Sequence, residues 1–244
     1  VAARPEMTAD VIHVRWRAPS TVQAEEEPRL VRLLDEGETL EWRRKAIAAD
    51  KKLYLVAHAL RRELIAELAG CAPDSLRFTR DVHGRPLLVD PVLGADLFFS
   101  LSHTDGLAIV AASTAGPVGI DAERRSRRIA EAALKAVMSD AELRRISQTG
   151  PEQGIRFWTL KEAYSKALGL GMHLRFSDLD FSAGISGTSA APYGFHGWRG
   201  EELPVGEDHI ATLAFPVRRG RPVRIDLRAP SHAQTTQQRY KPGI

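Results

Sequence analysis

The beginning of the chain changes from an alternating pattern of apolar and polar residues to a helical one. Residues 11–17 alternate, which predicts a strand, and apolar residues at three- and four-residue steps predict one long helix between about Trp42 and Leu68. A shorter helix is expected around residues 30–34. Gly70 stands where the C-cap of the long helix belongs.

Strands follow the long helix up to about residue 115, and the rest of the chain then repeats the order of strand, helices and strands. Three apolar runs predict strands over residues 97–102, 107–112 and 117–121. Helices are then expected at about residues 127–138, 140–148 and 153–168. Ser139 and Glu142 have the spacing of a capping box that opens the second of them. From Phe181 onwards, short β-like segments are separated by Gly and Pro.

This order predicts an α+β protein built from two similar α+β lobes that meet near residue 115. The expected N-terminal lobe spans residues 1–115 and the C-terminal lobe spans residues 116–228. Residues 229–244, which are rich in Gln, Thr and Ser, are expected to form a flexible tail. Because ligand sites often lie between such units, we expect the site in the cleft between the lobes.

Composition excludes several classes of protein. The 244 residues are 43% hydrophobic and 27% charged, which is ordinary for a folded domain and unlike collagen or a disordered chain. Cys71 is the only cysteine, so neither an internal disulfide nor a zinc site of paired cysteines can form. No apolar run reaches the roughly 18–20 residues that cross a bilayer, and no secretory signal is visible, so we expect a cytoplasmic protein.

Charge is distributed unevenly between the two halves. Residues 1–115 carry 15 basic and 17 acidic side chains, a net charge of −2, and the remainder carries 19 and 14, a net charge of +5. Part of this excess is an arginine group at residues 124–128. Such asymmetry indicates an anionic partner, which could be nucleic acid, an acidic protein or a phosphorylated small molecule.

Three carboxylates and a lysine are the best candidates for chemistry. Asp121 and Glu123 lie two apart at the end of an apolar strand, so both point to one face, and Glu162 lies one helical turn before Lys166. Carboxylate oxygens are the ligands that magnesium prefers. The alternative is structural: exposed carboxylates beside arginines, with Glu162 and Lys166 as an ordinary surface ion pair.

Two further segments could contact phosphate groups. Ser102 and His103 end a predicted strand, where the imidazole could donate to phosphate oxygens, and Arg85 lies in a turn between Gly84 and Pro86. Taken singly, a Ser-His pair is more often a strand end that faces water, and Gly84-Arg85-Pro86 is just a turn. The chain has no Gly-x-Ser-x-Gly elbow, Walker loop or Gly-x-Gly-x-x-Gly fingerprint, which disfavours serine hydrolases and the common nucleotide-binding folds.

In combination, these motifs resemble those of the 4′-phosphopantetheinyl transferases. Residues 118–123 (VGIDAE) and 157–166 (FWTLKEAYSK) are similar to two family patterns, V-G-[IV]-D-x-E and [FW]-[WY]-x-x-K-E-[AS]-x-x-K. Gly84-Arg85-Pro86, Ser100–Thr104 and the chain length are similar to the larger, surfactin-synthetase-activating (Sfp-like) type. The chain departs from that type at Ser100, where Asn is frequent, and at Arg85, where Lys is common.

The resemblance implies an enzyme of the holo-[acyl-carrier-protein] synthase kind. Such proteins transfer the phosphopantetheine arm of coenzyme A to a serine of an acyl or peptidyl carrier protein and release 3′,5′-ADP. It also implies a monomeric pseudo-dimer of two similar lobes, with the active site between them. The pathway served could be the synthesis of fatty acids, polyketides or nonribosomal peptides.

The resemblance assigns roles to individual residues. Mg²⁺ would be held by Asp121, Glu123 and Glu162, and Lys166 would stabilise the departing phosphate. Glu162 is the first candidate for the base that deprotonates the carrier serine, and Glu142 is the second. The residues expected to bind coenzyme A are Arg44, Lys52, Arg85, Pro86, Ser102, His103 and Lys166, with Lys51 as an alternative on the basic helix.

Carrier proteins are acidic, so the arginines at residues 124–128, with Leu134 and Val137, are expected to dock the carrier. Nucleic acid and membrane partners are not expected. Two other functions remain open at this point: a non-catalytic anion-binding protein, and a magnesium phosphohydrolase that acts on coenzyme A or a nucleotide. The anion-binding protein would bind nucleic acid or phosphate without magnesium. The phosphohydrolase would release the hydrolysis product and leave the carrier protein unlabelled.

Overall fold

The computed structural model describes residues 9–89, 97–184, 193–195 and 197–229, which form the mixed α+β fold that the sequence predicted. The helices are α1 (Glu27–Leu33), α2 (Glu36–Arg44), α3 (Ala48–Ala69), α4 (Glu131–Val137), α5 (Asp140–Thr149) and α6 (Pro151–Leu168). The strands are β1 (Asp10–Arg17), β2 (Phe78–Arg80), β3 (Pro86–Leu88), β4 (Phe98–Thr104), β5 (Leu107–Ser113), β6 (Gly119–Arg124), β7 (Tyr193–Phe195), β8 (Trp198–Leu203), β9 (His209–Pro216) and β10 (Val223–Arg228). The predicted tail lies outside the described residues except for Ala229.

Within the described residues the strands form two four-stranded sheets and the hairpin β2–β3. The first sheet has the order β10-β1-β5-β4 and the second has the order β6-β9-β8-β7. The neighbours are antiparallel except that β10 runs parallel to β1, with Asp10 opposite Val223. The first sheet therefore takes its edge strand from residues 223–228, which the sequence grouped with the second lobe.

The two sheets share one apolar core, and a long helix covers the outer face of each. Ile109 and Val14 of the first sheet belong to the same buried cluster as Leu213 and Ile120 of the second. On the outer faces, α3 packs against β5 and α6 packs against β6 and β9. The order of layers is therefore helix, sheet, sheet, helix. No helix of the described residues is long and apolar enough to cross a membrane.

Strands β4 and β6 are edge strands of different sheets, and side chains join them. The Ser100 hydroxyl accepts a hydrogen bond from the amide of Ile120 at 3.1 Å, and the Ser102 hydroxyl accepts one from the amide of Ala122 at 3.3 Å. Hydroxyl groups therefore satisfy backbone donors of β6 that would otherwise be unpaired at the sheet edge. This junction brings the end of β4 beside the carboxylates of β6.

The helix boundaries differ from the prediction at two places. The predicted helix from Trp42 to Leu68 is two helices, because Lys45 and Ile47 adopt extended backbone angles between α2 and α3. Its apolar repeat begins only at Leu53, so the pattern did not mark this break. The helix expected from residue 127 begins at Glu131, which leaves Arg127 and Arg128 in the preceding loop. The capping box of Ser139 and Glu142 and the C-cap at Gly70 are confirmed.

Candidate active site

Close contact between β6 and α6 brings the predicted site residues together. A Cβ atom added to Gly119 would overlap the carbonyl oxygen of Ala163 and lie 2.5 Å from the amide nitrogen of Ala167. Only glycine allows the strand to approach the helix backbone this closely. This packing requirement explains why the motif at residues 118–123 has glycine at position 119. Because side chains alternate along β6, Asp121 and Glu123 share the face of Gly119 and lie on the side of α6.

Asp121 is the most buried of the three carboxylates, with 5% of its surface exposed. Its Oδ1 atom accepts hydrogen bonds from Lys166 Nζ at 2.6 Å and from the Ser102 hydroxyl at 2.8 Å. Its Oδ2 atom is buried and has no hydrogen-bond partner among the described residues. Asp121 therefore keeps an unused acceptor, a costly arrangement that a bound ligand would relieve.

Glu123 lies at the end of β6, beside Thr104 of β4. The Thr104 hydroxyl donates to Glu123 Oε2 at 3.4 Å, and the guanidinium group of Arg127 forms an ion pair with the same carboxylate. Ser102 contacts Asp121 and Thr104 contacts Glu123, so the two strands match residue for residue along the junction.

Glu162 lies on α6, one turn before Lys166. Burial raises its pKa above the usual value, and the negative charge of Asp121 adds to this increase, while Lys166 and Arg127 oppose it. Glu162 is one turn from Lys166, and Lys166 contacts Asp121 at 2.6 Å, so two carboxylates that are distant in sequence lie on the same side of α6. Asp121, Glu162 and Lys166 thus belong to one electrostatic site formed by β6 and α6.

The donor set is suited to a hard divalent cation, although the chain's own cations now pair with it. Among the described residues, no group of three or more His, Cys, Asp or Glu side chains is arranged to hold a metal ion. Lys166 pairs with Asp121, and Arg127 pairs with Glu123. The three carboxylates nevertheless offer oxygen ligands of the kind that Mg²⁺ prefers, and the buried Oδ2 atom of Asp121 is an unused one.

His103 is exposed at the end of β4, next to this site. Its pKa is lowered, first by partial desolvation among the neighbouring elements and then by the positive charges of Lys166 and Lys45. The imidazole is therefore neutral near pH 7, with one nitrogen able to donate and the other able to accept. Lys45 is the C-cap of α2, which precedes the break between α2 and α3.

The basic residues predicted on the first long helix are engaged locally. Lys52 donates to the carbonyl oxygen of Val22 at 2.8 Å and pairs with Glu27 at 3.1 Å, and Arg44 pairs with Glu41 at 2.7 Å. Lys45, which the sequence did not single out, lies over the ring of Tyr54 at 5.4 Å, and its charge reaches His103. The break between α2 and α3 changes which basic residues share a face, and the sequence pattern did not reveal it.

Arg85 extends from the hairpin β2–β3 to the C-terminal end of α6. The Asp81 carboxylate accepts the amides of His83 and Arg85 at 2.8 and 2.9 Å, which fixes the turn. Pro86 begins β3. A Cβ atom on Gly169, the C-cap of α6, would lie 2.9 Å from Arg85 Nη1. The hairpin therefore places an arginine at the end of the helix that carries Lys166.

Glu142, the second candidate for the base, is enclosed in the protein interior. Both Glu142 and Lys161 have fully buried side chains, and they form an ion pair at 2.5 Å. Glu142 also accepts the amides of Ser139 at 2.9 Å and Phe181 at 3.0 Å. A carboxylate without solvent access cannot reach a serine of another protein, so the assignment of Glu142 as a base is wrong and its role is structural.

The turn after His103 is held by two residues of the second sheet, His209 and Arg124, and the sequence analysis gave neither of them this role. His209 Nε2 lies 2.8 Å from the carbonyl oxygen of Asp105, and Arg124 pairs with the Asp105 carboxylate at 3.0 Å. These contacts fix the end of β4 against β9 and β6. A lone histidine in a β-like segment carries no sequence signal for such a role.

The arginine group expected to dock a partner is largely engaged within the protein. Arg125 pairs with Glu152 at 2.7 Å and with Glu202 at 3.3 Å, Arg124 pairs with Asp105, and Arg127 pairs with Glu123. Arg128 is exposed. Neutralisation by these carboxylates makes the patch less positive than the sequence implied.

Comparison with known proteins assigns most of the chain to a single class. A family model described as the 4′-phosphopantetheinyl transferase superfamily matches residues 117–214. A second model, described as 4′-phosphopantetheinyl transferase, N-terminal, matches residues 16–115. The two matches adjoin near residue 116 and include every predicted site residue. They leave out β10, most of β1 and the last two residues of β9. The chain belongs to the 4′-phosphopantetheinyl transferase superfamily.

Particular relatives carry the same description. The chain is 27% identical to the 4′-phosphopantetheinyl transferase HetI of Nostoc sp. over 69% of this chain and 73% of that protein. It is 32% identical to an L-aminoadipate-semialdehyde dehydrogenase-phosphopantetheinyl transferase of Eremothecium gossypii, over 61% of this chain and 56% of that one. It is also 29% identical to the 4′-phosphopantetheinyl transferase gsp of Aneurinibacillus migulanus, over 49% of each chain. The match thus spans about half the length of the latter two relatives.

Proposed function

We propose that this protein transfers the 4′-phosphopantetheine arm of coenzyme A to a serine of an acyl or peptidyl carrier protein. The reaction depends on Mg²⁺ and releases 3′,5′-ADP, which converts the apo carrier to the holo form. The protein acts as a cytoplasmic monomer of the larger, Sfp-like type. Its coenzyme A site lies in the cleft between the lobes at residues 1–115 and 116–228, and its carriers serve fatty acid, polyketide or nonribosomal peptide synthesis.

One observation carries the proposal. In a chain that matches the family over both halves, Lys166 of α6 contacts Asp121 of β6, and the second oxygen of that buried carboxylate has no partner among the described residues. A lysine beside an unsatisfied carboxylate suits a site that handles phosphate and a cation together.

Asp121, Glu123 and Glu162 would hold Mg²⁺ in this proposal. When bound, the ion supplies neutralisation of the pyrophosphate charge and polarisation of the attacked phosphorus. The other side chains would act directly on the substrate. Lys166 donates to the leaving phosphate oxygen, where negative charge develops, and neutral His103 donates a hydrogen bond to the pyrophosphate. Ser102 holds Asp121 in position through its 2.8 Å hydrogen bond.

Coenzyme A binding draws on basic residues from both halves of the molecule. Arg85, with Pro86 shaping its turn, would clasp the adenosine 3′-phosphate. Lys52 and Arg44, the predicted partners, have local contacts that they would need to release, whereas Lys45 and Lys51 lie over the rings of Tyr54 and Trp42. We therefore include Lys45 and Lys51 in the set that binds this phosphate.

Glu162 would accept the proton of the carrier serine. It lies on the helix that lines the site, near Asp121 and one turn from Lys166. A carboxylate that burial has made more basic is a better proton acceptor than an exposed one. The nucleophile itself belongs to the carrier protein, which explains why this chain needs no activated serine or cysteine.

The carrier would dock beside the carboxylates, where α4 and its preceding loop lie. Arg128 is exposed, and the partner of Arg124, Asp105, is itself exposed, so both arginines can contact an acidic surface. Leu134 and Val137 of α4 are half-buried and pack with the α6 cluster, so they support this surface from beneath. Acidic carriers suit this arrangement.

Mass spectrometry of a carrier protein tests the proposal. An apo carrier is incubated with this protein, coenzyme A and Mg²⁺, and we expect its mass to rise by one phosphopantetheine arm. A carrier whose acceptor serine is replaced by alanine should gain nothing. Hydrolysed coenzyme A with an unmodified carrier would indicate a phosphohydrolase. Coenzyme A left intact across several carriers, together with salt-sensitive binding to nucleic acid, would indicate an anion-binding protein.

A further inference from the structure

Arg127 occupies an unusual position at the mouth of the candidate site. It lies in the loop between β6 and α4, with 40% of its side chain exposed. Its guanidinium group pairs with Glu123 and lies 5.3 Å from the centre of the Trp158 ring. An exposed arginine is thus held in place by an ion pair on one side and an aromatic ring on the other.

The same guanidinium group also acts on the third carboxylate. Trp158 and Glu162 are one turn apart on α6, so the group above the ring is close to Glu162. The positive charge of Arg127 is one of the influences that lower the pKa of Glu162 against the effect of burial. Arg127 therefore pairs with Glu123 and also acts on Glu162, while Lys166 pairs with Asp121 and shares the influence on Glu162.

The charges of this group nearly balance without any metal. Asp121, Glu123 and Glu162 contribute three negative charges when ionised, and Lys166 and Arg127 contribute two positive ones. A divalent cation that enters would meet a net charge of only about −1 and would have to compete for Glu123. Of the two resident cations, Arg127 is the more exposed, at 40% against 29%, and lies in a loop, so it can leave at lower cost.

We propose that Arg127 is a tethered cation that competes with the divalent ion for Glu123, so that the ion binds tightly only when an anionic pyrophosphate offers the guanidinium group another partner. This inference rests on the proposed function. Metal and coenzyme A then bind with positive coupling, and by linkage each ligand tightens the binding of the other by the same factor.

Titration with Mn²⁺, followed by electron paramagnetic resonance of the free ion, measures this coupling without any transfer reaction. The intact protein should bind Mn²⁺ weakly alone and about tenfold more tightly with coenzyme A present. Arg127→Gln, which keeps the length of the side chain but removes its charge, should bind Mn²⁺ alone about three- to tenfold more tightly than the intact protein. Its coupling to coenzyme A should shrink by a similar factor.

Two variants serve as controls. Arg128→Gln removes a neighbouring exposed arginine and should leave the Mn²⁺ affinity unchanged, which separates a local effect from a change in total charge. Arg127→Lys restores a positive charge and should return the affinity towards that of the intact protein. Because Arg127 is exposed in a loop, Arg127→Gln should fold normally, and its circular dichroism spectrum and Tm check this.

An unchanged or weaker Mn²⁺ affinity of Arg127→Gln would overturn the inference. So would an equal gain in affinity in Arg128→Gln. These outcomes differ from failure of the proposed function. Positive coupling that depends on Arg127, in a protein that never labels a carrier, would keep the tethered cation and reject the transferase. Carrier labelling with no effect of Arg127 on Mn²⁺ affinity would do the reverse.

Discussion

Helix α6 carries two lysine–carboxylate pairs, and their surroundings differ. Lys161 pairs with Glu142 and Lys166 pairs with Asp121, at 2.5 and 2.6 Å. The first pair is wholly buried, whereas Lys166 in the second is 29% exposed. The two lysines belong to one sequence motif, so sequence similarity alone does not separate their roles.

The pair of Lys161 and Glu142 has nearly every hydrogen-bonding position filled. Lys161 donates to the carbonyl oxygens of Val137, Phe176 and Leu179 at 2.9, 2.7 and 2.9 Å, and its charge is neutralised by the ion pair with Glu142. These contacts join α6 to the end of α4 and to residues 176–179. A buried charge is tolerated when it is paired and hydrogen-bonded in this way.

The pair of Lys166 and Asp121 is incompletely satisfied. One oxygen of Asp121 accepts two hydrogen bonds, and the other has no donor among the described residues. Burial raises the pKa of the neighbouring Glu162, and the negative charge of Asp121 raises it further. The pair of Lys161 and Glu142, whose hydrogen bonds are filled, maintains the fold. The pair of Lys166 and Asp121 keeps one carboxylate oxygen without a donor, which a ligand could use.

The largest effect should come from removing the charge of the unsaturated pair. We expect Asp121→Asn to slow carrier modification about 1,000-fold or more, because the cation and Lys166 both lose their negative partner. The free energy of unfolding should change by less than about 1 kcal/mol, since the residue already lacks one hydrogen bond. Transfer kinetics and urea denaturation measure the two quantities.

Glu207→Gln supplies the control for that experiment, because Glu207 is an exposed carboxylate in the loop between β8 and β9. It should alter neither quantity. An Asp121→Asn protein that unfolds readily, or that retains full activity, would show that the second pair is structural like the first.

Replacing each lysine by methionine should give opposite results. Lys161→Met leaves Glu142 and three carbonyl oxygens buried without their donor, so the free energy of unfolding should fall by about 3–5 kcal/mol. Lys166→Met should leave stability within about 1 kcal/mol, since Asp121 keeps its bond from Ser102. Its kcat should fall about 100-fold with a smaller change in KM, because leaving-group charge develops in the transition state. Equal losses of stability in both variants would contradict the comparison.

A smaller effect should appear at a third carboxylate, Glu38, which is saturated like Glu142. Burial alone would raise the pKa of Glu38, but the hydrogen bond from His58 and the positive charges of Arg61, His58 and Arg62 outweigh it and lower the pKa from 4.5 to about 2. Since the folded state holds the ionised form, this stability is fully present above about pH 4.5 and is lost as the pH falls towards 2.

The stability gap between the intact protein and Glu38→Gln should therefore narrow by about 2 kcal/mol across that interval. Urea denaturation at a series of pH values measures it. Glu36→Gln, at an exposed position on the same helix, should show a gap that does not depend on pH. A constant gap for Glu38→Gln would show that the carboxylate gains nothing from its cations.

The sequence predicted the fold class, most helices and the shared face of Asp121 and Glu123, because these follow from local periodicity and capping. It also placed Glu162 and Lys166 on one helix. It could not show that Gly119 lets that helix approach the strand, since this depends on packing between distant segments. Burial decided the role of Glu142, whose capping box was visible in the sequence while its partner Lys161 was not.

The sequence also did not show which charged side chains are already paired within the fold. Lys52 contacts Val22 and Glu27 on other segments, and Arg44 pairs with Glu41 on its own helix. The arginines at residues 124–127 likewise find carboxylates on several other elements. Long charged side chains pair wherever the fold provides a neighbour, and a single sequence holds no record of those neighbours.

The parallel pairing of β10 with β1 constrains how the protein is made. Residue 10 leaves the ribosome long before residue 223, its partner in the sheet, so the nascent chain carries β1 with one side unpaired for most of translation. Open strand edges bind other strands, which exposes the unfinished chain to wrong association. The first sheet is completed only after nearly all described residues have been synthesised, and a ribosome that stops before β10 releases a protein with an open sheet.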